Sequence, residues 1–328
     1  MCTARCKLVF IAITVLAFSG CSGPNPNLGE SSGHEFVESG SANEMLPNFT
    51  VAFLGDQGIG GNSEKVLELV KSEGSQMVLH QGDFDYHDDP EAWDNQISRV
   101  LGDDFPYFAS VGNHDIAAWP GYQKKLQERL ERVQGAECTG DLGVNSVCRY
   151  KGLLFVLSGI GTLGEGHEDY LKEALTDDDF LWKVCSWHKN QRLMQVGDKE
   201  NEVGWRAYEE CRNAGAIIAT AHYHGYVRTH LMGDFENQVI ASENEVLGIG
   251  KGRTFAFVSG LGGHSAQPLY GDLASNPWWA SVYTEHEHAD YGALFCTFNL
   301  NGEKNRAHCY FKDISGKVPD DFHVTNLN

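Results

Sequence analysis

Positive charge is what this chain of 328 residues has least of: 25 Lys and Arg stand against 45 Asp and Glu, a formal net charge of −20 at pH 7. Phosphate backbones are met by Lys and Arg, so the balance argues against nucleic acid or an anionic membrane surface as partner. Any phosphate chemistry must then draw its positive charge from metal ions. The N-terminal apolar run, Leu8 to Phe18, is too short to span a bilayer and fits the core of a signal peptide, with Arg5 and Lys7 before it and Ser19-Gly20-Cys21 after it. Internal repeats are absent, which excludes repeat arrays.

Small residues before Cys21 resemble the lipobox of bacterial lipoproteins, which would make Cys21 the lipidated first residue of the mature chain; the alternative is a plain secretory signal. Residues 22–47, rich in Gly, Ser, Pro, Asn and Glu, read as a flexible tether, leaving 48–328 as the folded domain. Setting aside Cys2, Cys6 and Cys21 leaves Cys138, Cys148, Cys185, Cys211, Cys296 and Cys309. An even number suits an oxidising compartment. Of the 15 connectivities open to six cysteines, sequential pairing closes the shortest loops. The expected location is outside the cytoplasm, as a membrane-anchored lipoprotein in the periplasm or on the cell surface, or else secreted.

Phe49–Leu54, Met77–His80 and Tyr107–Val111 read as strands, with helices over Ser63–Lys71 and Pro90–Leu101 between them. A solvated amphipathic helix is expected over Tyr122–Val133. Beyond it come strands Leu153–Leu157 and Phe180–Cys185, a helix Val203–Asn213 and a strand Ala216–Thr220, and then strands alone: Val227–Leu231, Thr254–Ser259, Leu294–Leu300 and Ala307–Phe311. The alternation of strand and helix gives way to strands. That predicts a layered α/β domain with two sheets.

Five of the strand-like runs end in the same way, in an acid, an amide or a histidine: Gly55-Asp56-Gln57-Gly58, Gly82-Asp83-Phe84-Asp85-Tyr86, Gly112-Asn113-His114-Asp115, Trp187-His188 and Ala221-His222-Tyr223-His224. Strand ends of an α/β sheet converge on one edge, so such residues can meet. Two cations about 3.5 Å apart repel and need a carboxylate between them with anionic or imidazole ligands around; Asp83 is the candidate bridge. Taken singly, each residue has a blander reading, such as a turn aspartate or histidines alternating on a surface strand. Five in order do not.

In these segments the chain resembles the calcineurin-like metallophosphoesterases, and within them the purple acid phosphatase branch, over about Phe49 to Arg228. The resemblance implies a layered sandwich of two mixed β-sheets flanked by helices. It implies a first metal held by Asp56, Asp83, Tyr86 and His224, and a second held by Asp83, Asn113, His188 and His222. Gly58 stands where the wider superfamily has a ligating histidine, and Tyr86 takes its place. A phenolate favours Fe(III), with Zn, Mn or Fe(II) at the softer site; Asp85 and His87 remain competing ligands. His114 matches a histidine that binds phosphate or protonates the leaving group. The implied reaction is hydrolysis of a phosphorylated small molecule, a phosphomonoester, by a hydroxide held between the metals. The alternatives are a phosphodiesterase or nucleotide hydrolase on the same centre, or a lipid-anchored binding protein without turnover.

Two departures stand out. Lys189-Asn190-Gln191 replaces histidines that follow the fourth motif in many purple acid phosphatases, and Ala221 replaces a glycine of the fifth. His264, in Gly260-Leu261-Gly262-Gly263-His264, is a candidate substrate contact, whereas His286 and His288 read as surface residues. Tyr226 and Arg228 are expected to serve structure, and Trp278 and Trp279 to fill a core.

Overall fold

The structure, a computed structural model, describes residues 45–328; the signal segment with Cys21 and the tether up to residue 44 lie outside them. Met45, at the end of the expected tether, already packs against the core, and its carbonyl accepts from the Asn299 side chain at 3.1 Å.

The chain opens with a βαβ unit, β1 (Phe49–Leu54), α1 (Gly61–Ser72) and β2 (Met77–His80), followed by α2 (Pro90–Leu101), β3 (Tyr107–Ala109) and α3 (Trp119–Leu130). Three antiparallel strands come next, β4 (Glu137–Asp141), β5 (Asn145–Tyr150) and β6 (Leu153–Ser158). Then follow α4 (His167–Ala174), β7 (Trp182–Ser186), α5 (Trp205–Ala214) and β8 (Ile217–Thr220). From there strands dominate: β9 (Tyr226–Thr229), β10 (Leu231–Asp234), β11 (Val239–Ser242), β12 (Val246–Ile249) and β13 (Ala256–Ser259). The last four are β14 (Trp279–Tyr283), β15 (Gly292–Phe298), β16 (Arg306–Asp313) and β17 (Asp320–Asn326).

Seven strands form one sheet in the order β12-β17-β16-β15-β1-β2-β3, and eight form the other in the order β14-β9-β13-β8-β7-β6-β5-β4. Both are mixed. β1, β2 and β3 run parallel beside antiparallel β15, β16 and β17, and β6, β7, β8 and β13 run parallel between antiparallel edges.

The alternation of side chains along a strand explains the layers. Val51 and Phe53 of β1 join Leu79, Phe155 and Phe257 in the core between the sheets, while Ala52 and Leu54 meet α1 and α2 through Val66, Leu67, Trp93 and Ile97. The second sheet does the same, its outer face covered by Leu171 of α4 and Ala207, Tyr208 and Cys211 of α5. Parallel strands buried on both faces read as continuous apolar runs, which is why they were legible.

Disulfides join Cys138 to Cys148, Cys185 to Cys211 and Cys296 to Cys309, the sequential pairing. Each closes a loop of 10 to 26 residues and restricts the unfolded chain by on the order of 3 kcal/mol. They fit an exported protein. Among the described residues no helix is long and apolar enough to cross a membrane.

The expected helix from Tyr122 is not simply solvated. It begins earlier, at Trp119, and Arg129 on it is fully buried, bonded to Asp94 Oδ1 at 2.6 Å, Ser98 Oγ at 2.7 Å and the Gly102 carbonyl at 2.8 Å. The strand expected over Val227–Leu231 breaks into β9 and β10, which lie in different sheets. Trp278 and Trp279 fill the outer core of the second sheet. Tyr226 and Arg228 serve structure: the Tyr226 hydroxyl donates to Asp320 Oδ2 at 2.6 Å, and Arg228 grips both Asp320 oxygens at 2.7 and 2.8 Å.

Candidate metal centre

The five segments follow β1, β2, β3, β7 and β8 at their carboxyl ends, and His264 follows β13. Two hydrogen bonds tie the sheets together at this edge: Ser259 Oγ donates to the Phe53 carbonyl at 2.9 Å, and Ser110 Oγ to the Ser186 carbonyl at 2.9 Å. The loops are drawn so close that there is no space for side chains between them. A Cβ on Gly112 would stand 2.1 Å from the Asp83 backbone nitrogen, and one on Gly55 would stand 2.4 Å from the Ala221 Cβ. Ala221 is therefore accommodated because Gly55 opposite it is bare.

Asp56, Asp83, Tyr86 and His222 all have left-handed backbone, with φ of 56°, 61°, 63° and 69°. For non-glycine residues this costs about 1–2 kcal/mol each, and such strain collects where function requires a fixed direction. Here it turns each side chain back over the sheet edge. Asp115 secures one of these turns, its carboxylate accepting from the backbone N–H groups of Asp83, Phe84 and Gly112 at 2.9, 2.8 and 2.7 Å.

The donors fall into two groups. In one, the Tyr86 hydroxyl lies 3.0 Å from Asp56 Oδ1 and 3.2 Å from His224 Nε2, and His224 Nε2 lies 3.3 Å from the same Asp56 oxygen. In the other, His188 Nε2 is 3.2 Å from Asp83 Oδ2, 3.1 Å from Asn113 Oδ1 and 3.1 Å from His222 Nδ1. His188 Nδ1 donates to the Gln81 carbonyl at 2.8 Å. With Nδ1 committed to that carbonyl, Nε2 stands against three polar atoms at once. A proton there could satisfy only one of them. Asp83, His188 and His222, all buried, form a set able to hold a cation.

Without a metal ion, the electrostatics favour a proton at this point. Burial opposes the charged form of His188, yet Asp83 and Asp56 raise its pKa to about 9. Burial also opposes ionisation of Asp56, but His224, His188 and His222 hold it well below the carboxylate range. Burial, Asp56 and Asp83 push the Tyr86 phenol well above its usual value. Asp115, in contrast, is raised to about 8 by burial and by Asp83.

His114 is exposed at the rim, its backbone N–H held by Asp83 Oδ1 at 2.8 Å and its ring 4.6 Å from that of Tyr86. His264, also exposed, stacks on Tyr86 with ring centroids 3.6 Å apart. His286 and His288 are exposed and away from the donors. Asp85 is not among the donors. It accepts from the backbone of His87, Asp88 and Asp89 at 2.8 to 3.1 Å and from the Tyr122 hydroxyl at 2.5 Å, which makes it a turn carboxylate. His87 lies exposed in a recess shared with His264. His222 and His224 do not alternate on a strand: they sit in the turn between β8 and β9, and the left-handed backbone at His222 sends them to different groups.

Sequence reasoning missed Glu202, whose carboxylate lies 2.9 Å from His222 Nε2 and 2.5 Å from Lys189 Nζ. No motif marks it, because it arrives through the fold of a loop.

The calcineurin-like phosphoesterase family matches the chain over residues 49–226. No curated protein sequence matches it. Among solved structures, it is similar to purple acid phosphatase PPD1 from yellow lupin (Lupinus luteus) seeds, with 16% identity and a TM-score of 0.63 over 86% of this chain. This chain spans 55% of the lupin protein's length. It is also similar to GAP50, the anchor in the inner membrane complex of Plasmodium, with 14% identity, a TM-score of 0.56 and coverage of 84% of this chain and 88% of that one. PhoD matches at 13% identity and a TM-score of 0.50, over 85% of this chain and 72% of that one. At these identities the likeness establishes the fold. The family match covers more than half of the chain, together with every one of the five segments, and the chain belongs to the calcineurin-like phosphoesterases, hydrolases of phosphoric esters.

Proposed function

We propose that the chain hydrolyses phosphomonoesters at a dinuclear metal centre, with Asp56, Asp83, Tyr86 and His224 holding one ion and Asp83, Asn113, His188 and His222 the other. The observation that carries this reading is the convergence of a carboxylate oxygen, an amide oxygen and an imidazole nitrogen on His188 Nε2, where a proton can serve only one of them and a cation can serve all. Tyr86 favours Fe(III) at the first position, since a phenolate is a hard anion; the second suits Zn, Mn or Fe(II). When bound, two such ions supply the positive charge that the acidic chain lacks and acidify a water for attack on phosphorus. His114, at the rim, holds the phosphoryl group and gives a proton to the leaving alcohol oxygen as the P–O bond breaks. His264, stacked on Tyr86, faces the substrate beside it. Export on a lipidated Cys21 belongs to the same proposal, and mass spectrometry of the mature N-terminus tests it.

Metal analysis of the purified protein, with its visible spectrum, tests the centre. Two metals per chain, one of them iron, are expected, with a tyrosinate band absent from Tyr86→Phe. Two colourless metals would remove iron from the reading. No metal after reconstitution would overturn it and leave a binding role. Hydrolysis of 4-nitrophenyl phosphate should exceed that of bis(4-nitrophenyl) phosphate; the reverse order would make the chain a phosphodiesterase.

A further inference from the structure

Each of the three histidines at the centre turns one ring nitrogen toward the donors and the other toward the protein. His188 Nδ1 is bonded to the Gln81 carbonyl at 2.8 Å and His224 Nδ1 to Ser265 Oγ at 2.5 Å, and His222 Nε2 lies 2.9 Å from Glu202 Oε2, a buried oxygen with no other partner among the described residues. Only the last partner is charged. It is also held from behind, by Lys189 Nζ at 2.5 Å. The backbone closes the same loop: the Glu202 N–H donates to the Asn190 carbonyl at 3.1 Å, and the Asn190 side-chain amide donates to the carbonyl of Ala221, next to His222, at 2.6 Å.

We propose that Glu202, fixed by Lys189, is the positioning residue for His222. It accepts the Nε2 proton, so the Nδ1 lone pair faces Asp83 and His188, and it thereby sets the affinity of the second metal position. The inference rests on the dinuclear reading above. Without a partner on Nε2 the imidazole is free to rotate or to carry its proton on Nδ1, where it cancels a donor. A charged acceptor fixes the tautomer and raises the basicity of the ligating nitrogen. Lys189 balances the carboxylate, so Glu202 remains a support rather than a competing ligand. The pair stands in the segment where many purple acid phosphatases carry histidines, and it gives that segment a different task.

Calorimetric titration of the metal-free protein with Zn(II), together with metal content by mass spectrometry, tests this in the wild type, Glu202→Gln, Glu202→Asp and Lys189→Met. Circular dichroism checks folding. Glu202→Gln should weaken one of the two positions by about 10- to 100-fold and leave the other unchanged. Glu202→Asp should recover part of the loss, and Lys189→Met should show a smaller one. Two positions of wild-type affinity in Glu202→Gln, or an equal loss at both, would overturn the inference. If Glu202→Gln does not fold, Glu202→Asp and Lys189→Met decide by the same one-position criterion. Absence of metal from the wild type would overturn the dinuclear reading itself.

Discussion

Two buried polar clusters lie in this domain, and they are built on opposite principles. Around Asp320, the Tyr226 hydroxyl and the Arg228 guanidinium bring donors to a carboxylate, and every bond has a giver and a taker. Around His188 Nε2, a carboxylate oxygen, an amide oxygen and an imidazole nitrogen crowd one ring nitrogen, more polar atoms than a single proton can serve. The first cluster closes on itself and holds the chain together. The second is a set able to hold a cation. A buried polar group without a full complement of partners costs free energy, and under the dinuclear reading proposed above a bound cation recovers it.

Breaking the second cluster should have the largest effect, and on function alone. In His188→Ala, kcat on 4-nitrophenyl phosphate is expected to fall by about 10³-fold with loss of metal, while the melting temperature of the metal-free protein, compared above about pH 9 where His188 has lost its proton, stays level or rises. A large loss of stability in that form would mean that the cluster is structural after all. Asp320→Ala is the converse test. It leaves Arg228 buried without a counter-charge and should cost about 3 kcal/mol of stability in denaturant unfolding, with metal stoichiometry unchanged.

Smaller effects sharpen the contrast. His114→Asn, at the rim, should lower kcat by about 100-fold and retain both metals, so that steady-state kinetics beside metal analysis separates proton donation from ligation. The pH dependence gives the mildest signal. His188 and Asp115 both have raised pKa values in the folded chain, about 9 and about 8. A raised value contributes stability that is complete below the unfolded pKa and is lost as pH rises through the folded one. Chelator-treated protein should therefore lose melting temperature as pH rises, through Asp115 from about pH 4 to about 8 and through His188 from about pH 6.5 to about 9. Metal should flatten that slope, because it takes the place of the proton at His188. A flat profile in chelator would contradict the acceptor-rich picture.

The strands β1, β2 and β8 were legible nearly to the residue, because parallel strands covered on both faces are written as unbroken apolar runs. The β4–β5 hairpin was not. β4 is exposed along its length, and no apolar pattern marks an edge strand held by Cys138 and Cys148. Helix α4, only eight residues long and mostly polar, carries no apolar pattern either. The sequence leaves Asp85 open as a ligand, and the fold turns its carboxylate to Tyr122 and the following backbone.

By itself the sequence determined which residues carry the donors and that they end successive strands, since an apolar run followed by a polar residue is a local pattern. Its deficit of Lys and Arg also meant that any phosphate chemistry must draw positive charge from metal ions. Only the tertiary structure decided the partners of each donor. Gln81, Ser265 and Glu202 reach His188, His224 and His222 from separate loops, and the nitrogen each histidine turns inward depends on which acceptor meets the other one. Tautomer and direction are fixed by contacts distant along the chain, and no local pattern encodes them.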